Sequence, residues 1–194
     1  MQSPRVPHMH ALHQVLQYLK QAPGQGLFFP RNTSLKLTAY SDADWANCVD
    51  TRRSITGFAV FLGDALISWK PKKQFTVSKS STEAEYNAVF STSSEVVWLQ
   101  RLLQHFEVQI PLVLLFCDNM SAIHLSNNPA LHERSKHIDV DYHYIRELVQ
   151  TGIIKLVHVK SQHQLADTFT KALAPSTFHQ FIIKLGLLDM YAPT

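Results

Sequence analysis

Tyr40-Ser41-Asp42-Ala43-Asp44-Trp45 closes a run, beginning at Leu35, in which apolar and polar residues alternate. Alternation with a period of two marks a strand with two unlike faces. Leu35, Leu37, Ala39 and Ser41 share one face; Thr38, Tyr40, Asp42 and Asp44 share the other. An acid inside such a strand is destabilising unless a cation or hydrogen bonds offset its burial, and a metal ion is the usual partner. Three acids downstream, Glu85, Asp118 and Asp167, stand where a fold built on this strand can bring them to it.

Beyond that strand, Asn47 to Arg53 is polar and reads as a turn, and Ile55 to Leu62 as a second strand in which Gly57 marks a bulge or a close approach. Gly63-Asp64 signals a hairpin into Ala65–Trp69, which makes three antiparallel strands, followed by a basic turn at Lys70-Pro71-Lys72-Lys73. Ser80-Ser81-Thr82 are N-cap types, and either Ser80 with Glu83 or Thr82 with Glu85 fits a capping box. The helix they open runs to about Phe106, with Ala88, Val96, Leu99, Leu103 and Phe106 as its core stripe. After Pro111, the apolar run Leu112–Cys117 reads as a central strand buried on both faces, ending at Asp118-Asn119, and a short helix begins at Ser121.

Val140 to Gln150 is a further helix stopped by Gly152, and Ile153 to Val159 a further buried strand. A short loop from Ser161 to Gln164 leads to a helix over Leu165–Leu173 and a last amphipathic helix over Ser176–Leu185. The order β-β-β-α-β-α-α-β-α predicts an α/β fold with a mixed sheet, antiparallel at one side and parallel in the middle. At the N-terminus, a helix over Pro7–Gln21 and a short strand near Gly26–Pro30 are too small to fold alone.

The composition narrows the class. A chain of 194 residues with 45% hydrophobic content makes one medium domain with a full core. A net charge of +3 permits a polyanionic partner without requiring one. Cys48 and Cys117, in dissimilar contexts, form no disulfide framework or zinc pattern, so a reducing, intracellular compartment is expected. No apolar run approaches the roughly 20 residues needed to span a bilayer, and the N-terminal stretch lacks the apolar core of a secretory signal.

In a mixed sheet, functional groups gather at the carboxyl ends of parallel strands. Asp118 sits at such an end, Asp42 lies near the end of its strand, and Asp167 opens the helix after the last strand. Glu83 and Glu85 compete for the helix position; two residues apart, they stand roughly 200° from one another, so one of them faces the sheet. Periodicity leans to Glu85 and leaves Glu83 open. Oxygen-only ligands suit magnesium or manganese. The plainer readings are a capping glutamate, an Asp-Asn turn and a solvated charge at Asp44. His132, His137 and His143 do not have a zinc spacing. An integrase-type site needs a glutamate about 35 residues after the second aspartate, where this chain has Ile153.

Several ordered motifs resemble the ribonuclease H domain of copia-type retrotransposon Pol polyproteins. They are Tyr40–Trp45, Arg52-Arg53-Ser54-Ile55-Thr56-Gly57-Phe58, Ile67–Lys70, Ser80-Ser81-Thr82-Glu83-Ala84-Glu85-Tyr86 and Cys117-Asp118-Asn119. Lys136–Asp139, Tyr142-His143, Ile145–Glu147 and Gln164–Lys171 continue the likeness over nearly the whole chain. The resemblance implies a ribonuclease H-like fold with a five-stranded mixed sheet. It also implies cleavage of the RNA strand of an RNA–DNA hybrid with two divalent ions, Mg2+ or Mn2+, held by Asp42, Glu85, Asp118 and Asp167. His163, in the loop before Asp167, is the candidate for an auxiliary role.

Further expectations follow. Residues 1–33 resemble the end of a reverse transcriptase, 34–175 the ribonuclease H-like domain, and 176–194 a terminal helix and tail. The missing polymerase points to a truncated or domesticated element, and to a reverse transcriptase supplied by another chain as a partner. Lys70, Lys72 and Lys73, with Trp69 and Lys79, form one candidate nucleic-acid surface, and Arg134 and Lys136 another. The rival reading is a catalytically weak remnant that binds nucleic acid or protein.

Overall fold

Strand β2 (Leu37–Asp44) lies at the centre of a five-stranded mixed sheet of order β4-β3-β2-β5-β6. The computed structural model describes residues 3–127 and 139–191. Strands β3 (Ile55–Leu62) and β4 (Ala65–Lys73) continue antiparallel on one side of β2. Strands β5 (Val113–Cys117) and β6 (Ile154–His158) run parallel to it on the other. Tyr40 pairs with Phe116, so two residues further on Asp42 and Asp118 reach the same level of the sheet.

The two faces of β2 explain its alternation. Leu37 and Ala39 join Val60, Val89, Val96, Leu115 and Ile145 in the larger core, beneath α2 (Ser81–His105) and α4 (Asp139–Gln150). Tyr40 packs on the opposite face with Phe61, Leu66, Leu165, Phe181 and Leu185, under α6 (Pro175–Lys184). Asp42 follows Tyr40 on that face, beneath the single turn α5 (Asp167–Thr170). A short helix α3 (Met120–Asn127) follows β5, capped where Asn119 Oδ1 accepts from the Ala122 N–H.

Several boundaries differ from the sequence reading. Leu35 is exposed and precedes the strand. Lys70–Lys73 is no turn; it extends β4, pairing with Ile55–Phe58. Pro71 is tolerated because β4 is an outer strand, and lysines on such a strand also block pairing with another edge. Phe106 lies past the end of α2 and is 69% exposed, outside the core stripe. Strand β6 is the other edge of the sheet, with Ile154 and Leu156 inward and Lys155 exposed, so it is not buried on both faces. The helix expected over Leu165–Leu173 shrinks to α5 because Lys171 takes extended backbone.

The terminal segments meet. Strand β1 (Gln25–Leu27) pairs antiparallel with β7 (Leu187–Asp189) in a separate two-stranded sheet. Helix α1 (Val6–Gln21) buries none of its residues, and its Tyr18 ring meets Phe178 of α6 edge-on at 6.1 Å. Among the described residues, no helix is long and apolar enough to cross a membrane.

Gly57 pairs with Asp42 and marks a close approach; the bulge in this hairpin falls at Val60/Phe61. A Cβ on Gly57 would lie 2.6 Å from Thr170 Cγ2 and 3.0 Å from the Ala166 carbonyl oxygen. The missing side chain therefore lets α5 sit directly over Asp42. Gly57→Ala is expected to destabilise the chain by about 1–3 kcal/mol through overpacking, read as a lower denaturant midpoint. An alanine variant as stable as the parent would contradict this packing.

Candidate active site

Four elements deliver the four acids. Asp42 comes from the end of β2, Asp118 from just past β5, Asp167 from the first position of α5, and Glu85 from the second turn of α2. Asp42 is fully buried, and Glu85 and Asp167 are nearly so. Ala43, Ala84 and Ala88 pack together where α2 crosses β2, and their small side chains let the helix approach closely enough for Glu85 to reach the sheet. The Ala43 backbone N–H donates to the Glu85 carboxylate.

The cap of α2 separates the two glutamates. Ser80 Oγ accepts from the Glu83 N–H at 3.2 Å, while Glu83 Oε2 accepts from the Lys79 N–H at 2.9 Å. Glu83 is thus engaged at the helix end, and its reciprocal bond goes one residue further back than in a capping box. Glu85 turns inward to Asp42 and Asp118.

The site has two adjoining halves. In one, ligand atoms of Glu85, Cys117 and Asp118 lie within 4.8 Å of one another. Asp118 Oδ2 accepts from Ser161 Oγ at 2.8 Å. In the other, Thr170 Oγ1 donates to Asp42 Oδ2, and the Lys171 ammonium stands 3.1 Å from Asp42 Oδ1 and 2.7 Å from Asp167 Oδ1.

Electrostatics follow from this crowding. Burial, then the charges of Asp42 and Asp118, push Glu85 up to about 9, against the opposing bond from Ala43. Burial pushes Asp167 up to about 6, opposed by its bond from Lys171 and reinforced by Asp42 and Asp118. Burial works to lower the Lys171 ammonium, but its bonds and charge contacts with Asp167 and Asp42 outweigh it and the net shift is upward. Burial and then Glu85 push the Cys117 thiol up, so it stays a neutral neighbour. The donor set is four carboxylates in a confined space, which fits a hard, oxygen-seeking divalent cation.

Other candidate residues fall elsewhere. Asp44 bonds to Asn47 at the exposed strand end. Lys70 and Lys72 project on the α2 side of β4, lining a shallow depression with Phe90 and Glu95, and the Lys72 ammonium lies 5.0 Å from the Phe75 ring centre. Lys73 follows on the opposite face, 2.9 Å from Cys48 Sγ, and its contact is the main cause lowering that thiol to about 7. Trp69 is exposed. Arg134, Lys136, His132 and His137 lie outside the described residues. His163 is exposed in a 3-10 turn beside Gln162; Ser161 of the same turn is the residue that bonds Asp118.

Ser161, Thr170 and Lys171 were not singled out by reading the acids alone. Lys171 had a signal, an acid–base pair four residues apart starting at Asp167. Ser161 and Thr170 had none beyond their place in a polar loop and a short helix.

A pH dependence follows. Asp167 and Glu85 start from 3.8 and 4.5 and are raised in the folded chain, so the folded state holds protons that the unfolded state has released. Stability from these groups is greatest below about pH 4 and falls as pH rises through their folded values. In chelator, the melting temperature is expected to fall between about pH 5 and 9, and Glu85→Gln to flatten the upper part of that fall. An unchanged slope in the variant would contradict the placement of Glu85.

No family model matches the chain. It is 45% identical over 188 residues to the retrovirus-related Pol polyprotein from transposon RE1 of Arabidopsis thaliana, a match covering 96% of this chain and 13% of that protein. It is 46% identical over 192 residues to the corresponding protein from transposon RE2, covering 98% of this chain and 13% of that one. The match to the Pol polyprotein from transposon TNT 1-94 of Nicotiana tabacum is 38% over 178 residues, 92% of this chain and 13% of the relative. The chain thus spans about 13% of the length of these curated relatives.

Among solved structures, the fold is similar to the N-terminal RNase H domain of a Mycobacterium tuberculosis protein. The TM-score is 0.53 at 11% identity, covering 76% of this chain and 96% of that one. RNase H1 of Halobacterium salinarum gives 0.50 at 15% identity, covering 70% and 94%. Identity on that scale speaks for the fold alone. The chain belongs with the retrovirus-related Pol polyproteins of copia-type transposons, matches a segment of them, and has a ribonuclease H-like fold.

Proposed function

We propose that this chain hydrolyses the RNA strand of an RNA–DNA hybrid as the ribonuclease H segment of a retrotransposon Pol protein, with Asp42, Glu85, Asp118 and Asp167 holding two Mg2+ or Mn2+ ions. The observation that carries this reading is the convergence of four acids from four separate elements on the carboxyl end of a mixed sheet. Bound divalent ions supply Lewis acidity, acidifying a water and neutralising charge on the phosphodiester.

The residues prepare the site for that chemistry. Thr170 fixes one oxygen of Asp42 and leaves Oδ1 to the Lys171 ammonium, which also contacts Asp167. Ser161 holds one oxygen of Asp118. Glu85, raised to about 9, would have to give up a proton to hold a cation at neutral pH. Lys70, Lys72 and Lys73 offer charge to backbone phosphates without sequence choice, and selection for RNA rests on duplex shape and 2′-hydroxyls.

A partner reading has its own observation. Met9, Leu12, Val15, Leu16 and Leu19 of α1 are each at least half exposed. An apolar stripe of that kind supports packing against another protein segment. In a Pol polyprotein, the reverse transcriptase is the expected occupant.

Cleavage of a labelled hybrid in Mg2+ or Mn2+ tests the reading. Asp118→Asn is expected to lower the rate by at least about 100-fold with the circular dichroism spectrum unchanged. Full cleavage by this variant would remove the site assignment. Glu85→Gln is expected to lose activity on the same scale, while Glu83→Gln keeps it; the reverse pattern would make Glu83 the metal-facing acid.

A further inference from the structure

Lys171 stands one helical turn beyond Asp167, on a residue that has already left α5 for extended backbone. From there its side chain, 40% exposed, reaches back so that the ammonium contacts Asp42 Oδ1 at 3.1 Å and Asp167 Oδ1 at 2.7 Å. The two carboxylates come from different elements, β2 and α5, and the ammonium lies between them. A divalent ion held by Asp42 and Asp167 would need the space beside these oxygens that the ammonium now fills. Lysine and ion therefore exclude one another there. The other half of the site is different: Glu85 and Asp118 approach within 4.8 Å of one another, Asp118 takes its hydrogen bond from the Ser161 hydroxyl, and Lys171 reaches Glu85 only as a weaker charge interaction.

Resting on the metal reading of the site, we propose that Lys171 is a built-in counter-ion that occupies the Asp42–Asp167 half until a divalent ion displaces it, so that the Glu85–Asp118 half fills first. The chemistry supports such an exchange. An ammonium is a compact charge on a flexible four-carbon stem with three rotatable donors, so it moves without disturbing the backbone. Two of its donors face Asp42 and Asp167, and the partly exposed stem has a path to solvent. Lys171 is a positioning residue in this account: it keeps Asp42 and Asp167 together before loading, and weakens one ion's binding by competing with it.

Calorimetric titration of the full chain with Mn2+, beside Lys171→Met and Lys171→Arg, reads the competition directly. Wild type is expected to show a tighter and a weaker step. Lys171→Met is expected to tighten the weaker step by about tenfold or more and leave the tighter one unchanged, while Lys171→Arg retains the weaker step. Melting supplies a second readout. In chelator, Lys171→Met is expected to melt below wild type, and saturating Mn2+ to close that gap, whereas a lysine with only a structural role keeps the gap at every Mn2+ concentration. If Lys171→Met does not fold, Lys171→Gln is measured in its place. A weaker step that is unchanged or further weakened in the variant overturns the proposal while the metal reading stands. No Mn2+ binding by either chain overturns the metal reading, and the proposal with it.

Discussion

Repulsion among four crowded carboxylates, three of them buried, is the constraint on which the rest of this structure depends. Asp42 and Asp118 are held close enough to Glu85 and Asp167 for their charges to help raise the protonation of those two, and the packing around the acids opposes their separation. A fold that only had to be stable would not place fully buried Asp42 beside Glu85, because each uncompensated charge in such surroundings is destabilising. Proton uptake by Glu85 and the Lys171 ammonium relieve part of that strain. The remainder is a standing attraction for a cation.

Small residues make the crowding feasible. The Ala43–Ala84–Ala88 contact brings α2 against β2, and Gly57 brings α5 against the same strand on its other face. Asp42 is therefore approached by a helix from each side of the sheet. Gln164, fully buried, donates to the Ser41 carbonyl at 2.9 Å and accepts from the Ala166 N–H at 3.2 Å, tying the chain entering α5 to the strand that carries Asp42. Larger side chains at these crossings would move the acids apart before they changed the topology.

Much of this was legible in the chain itself, and the exceptions have physical causes. Period-two alternation puts Asp42 on the Tyr40 face of its strand, the face that α5 covers, and the apolar run before Asp118 marks a strand ending at an acid. Glu83 against Glu85 stayed open because helical period alone puts both on partly apolar sides; the Lys79–Glu83 bond, a cap detail, decides which one turns inward. Lys70–Lys73 looked like a turn because Pro and Lys are turn and surface residues, yet an outer strand accepts both. The length of α5 was overread because its continuation is apolar, while Lys171 leaves the helix to reach two carboxylates. The pairing of β1 with β7 was not legible, since three-residue strands far apart in sequence carry no periodic signal.

The central claim is that these acids are arranged around divalent cations, and the most direct test is positional. Crystals of the chain grown with Mn2+, measured at the manganese absorption edge, report where the metal sits without reference to activity. The account predicts anomalous density among these acids, with a peak within ligand distance of Glu85 and Asp118. A well-ordered site in saturating Mn2+ with no peak there, or a peak held by other residues, would contradict it.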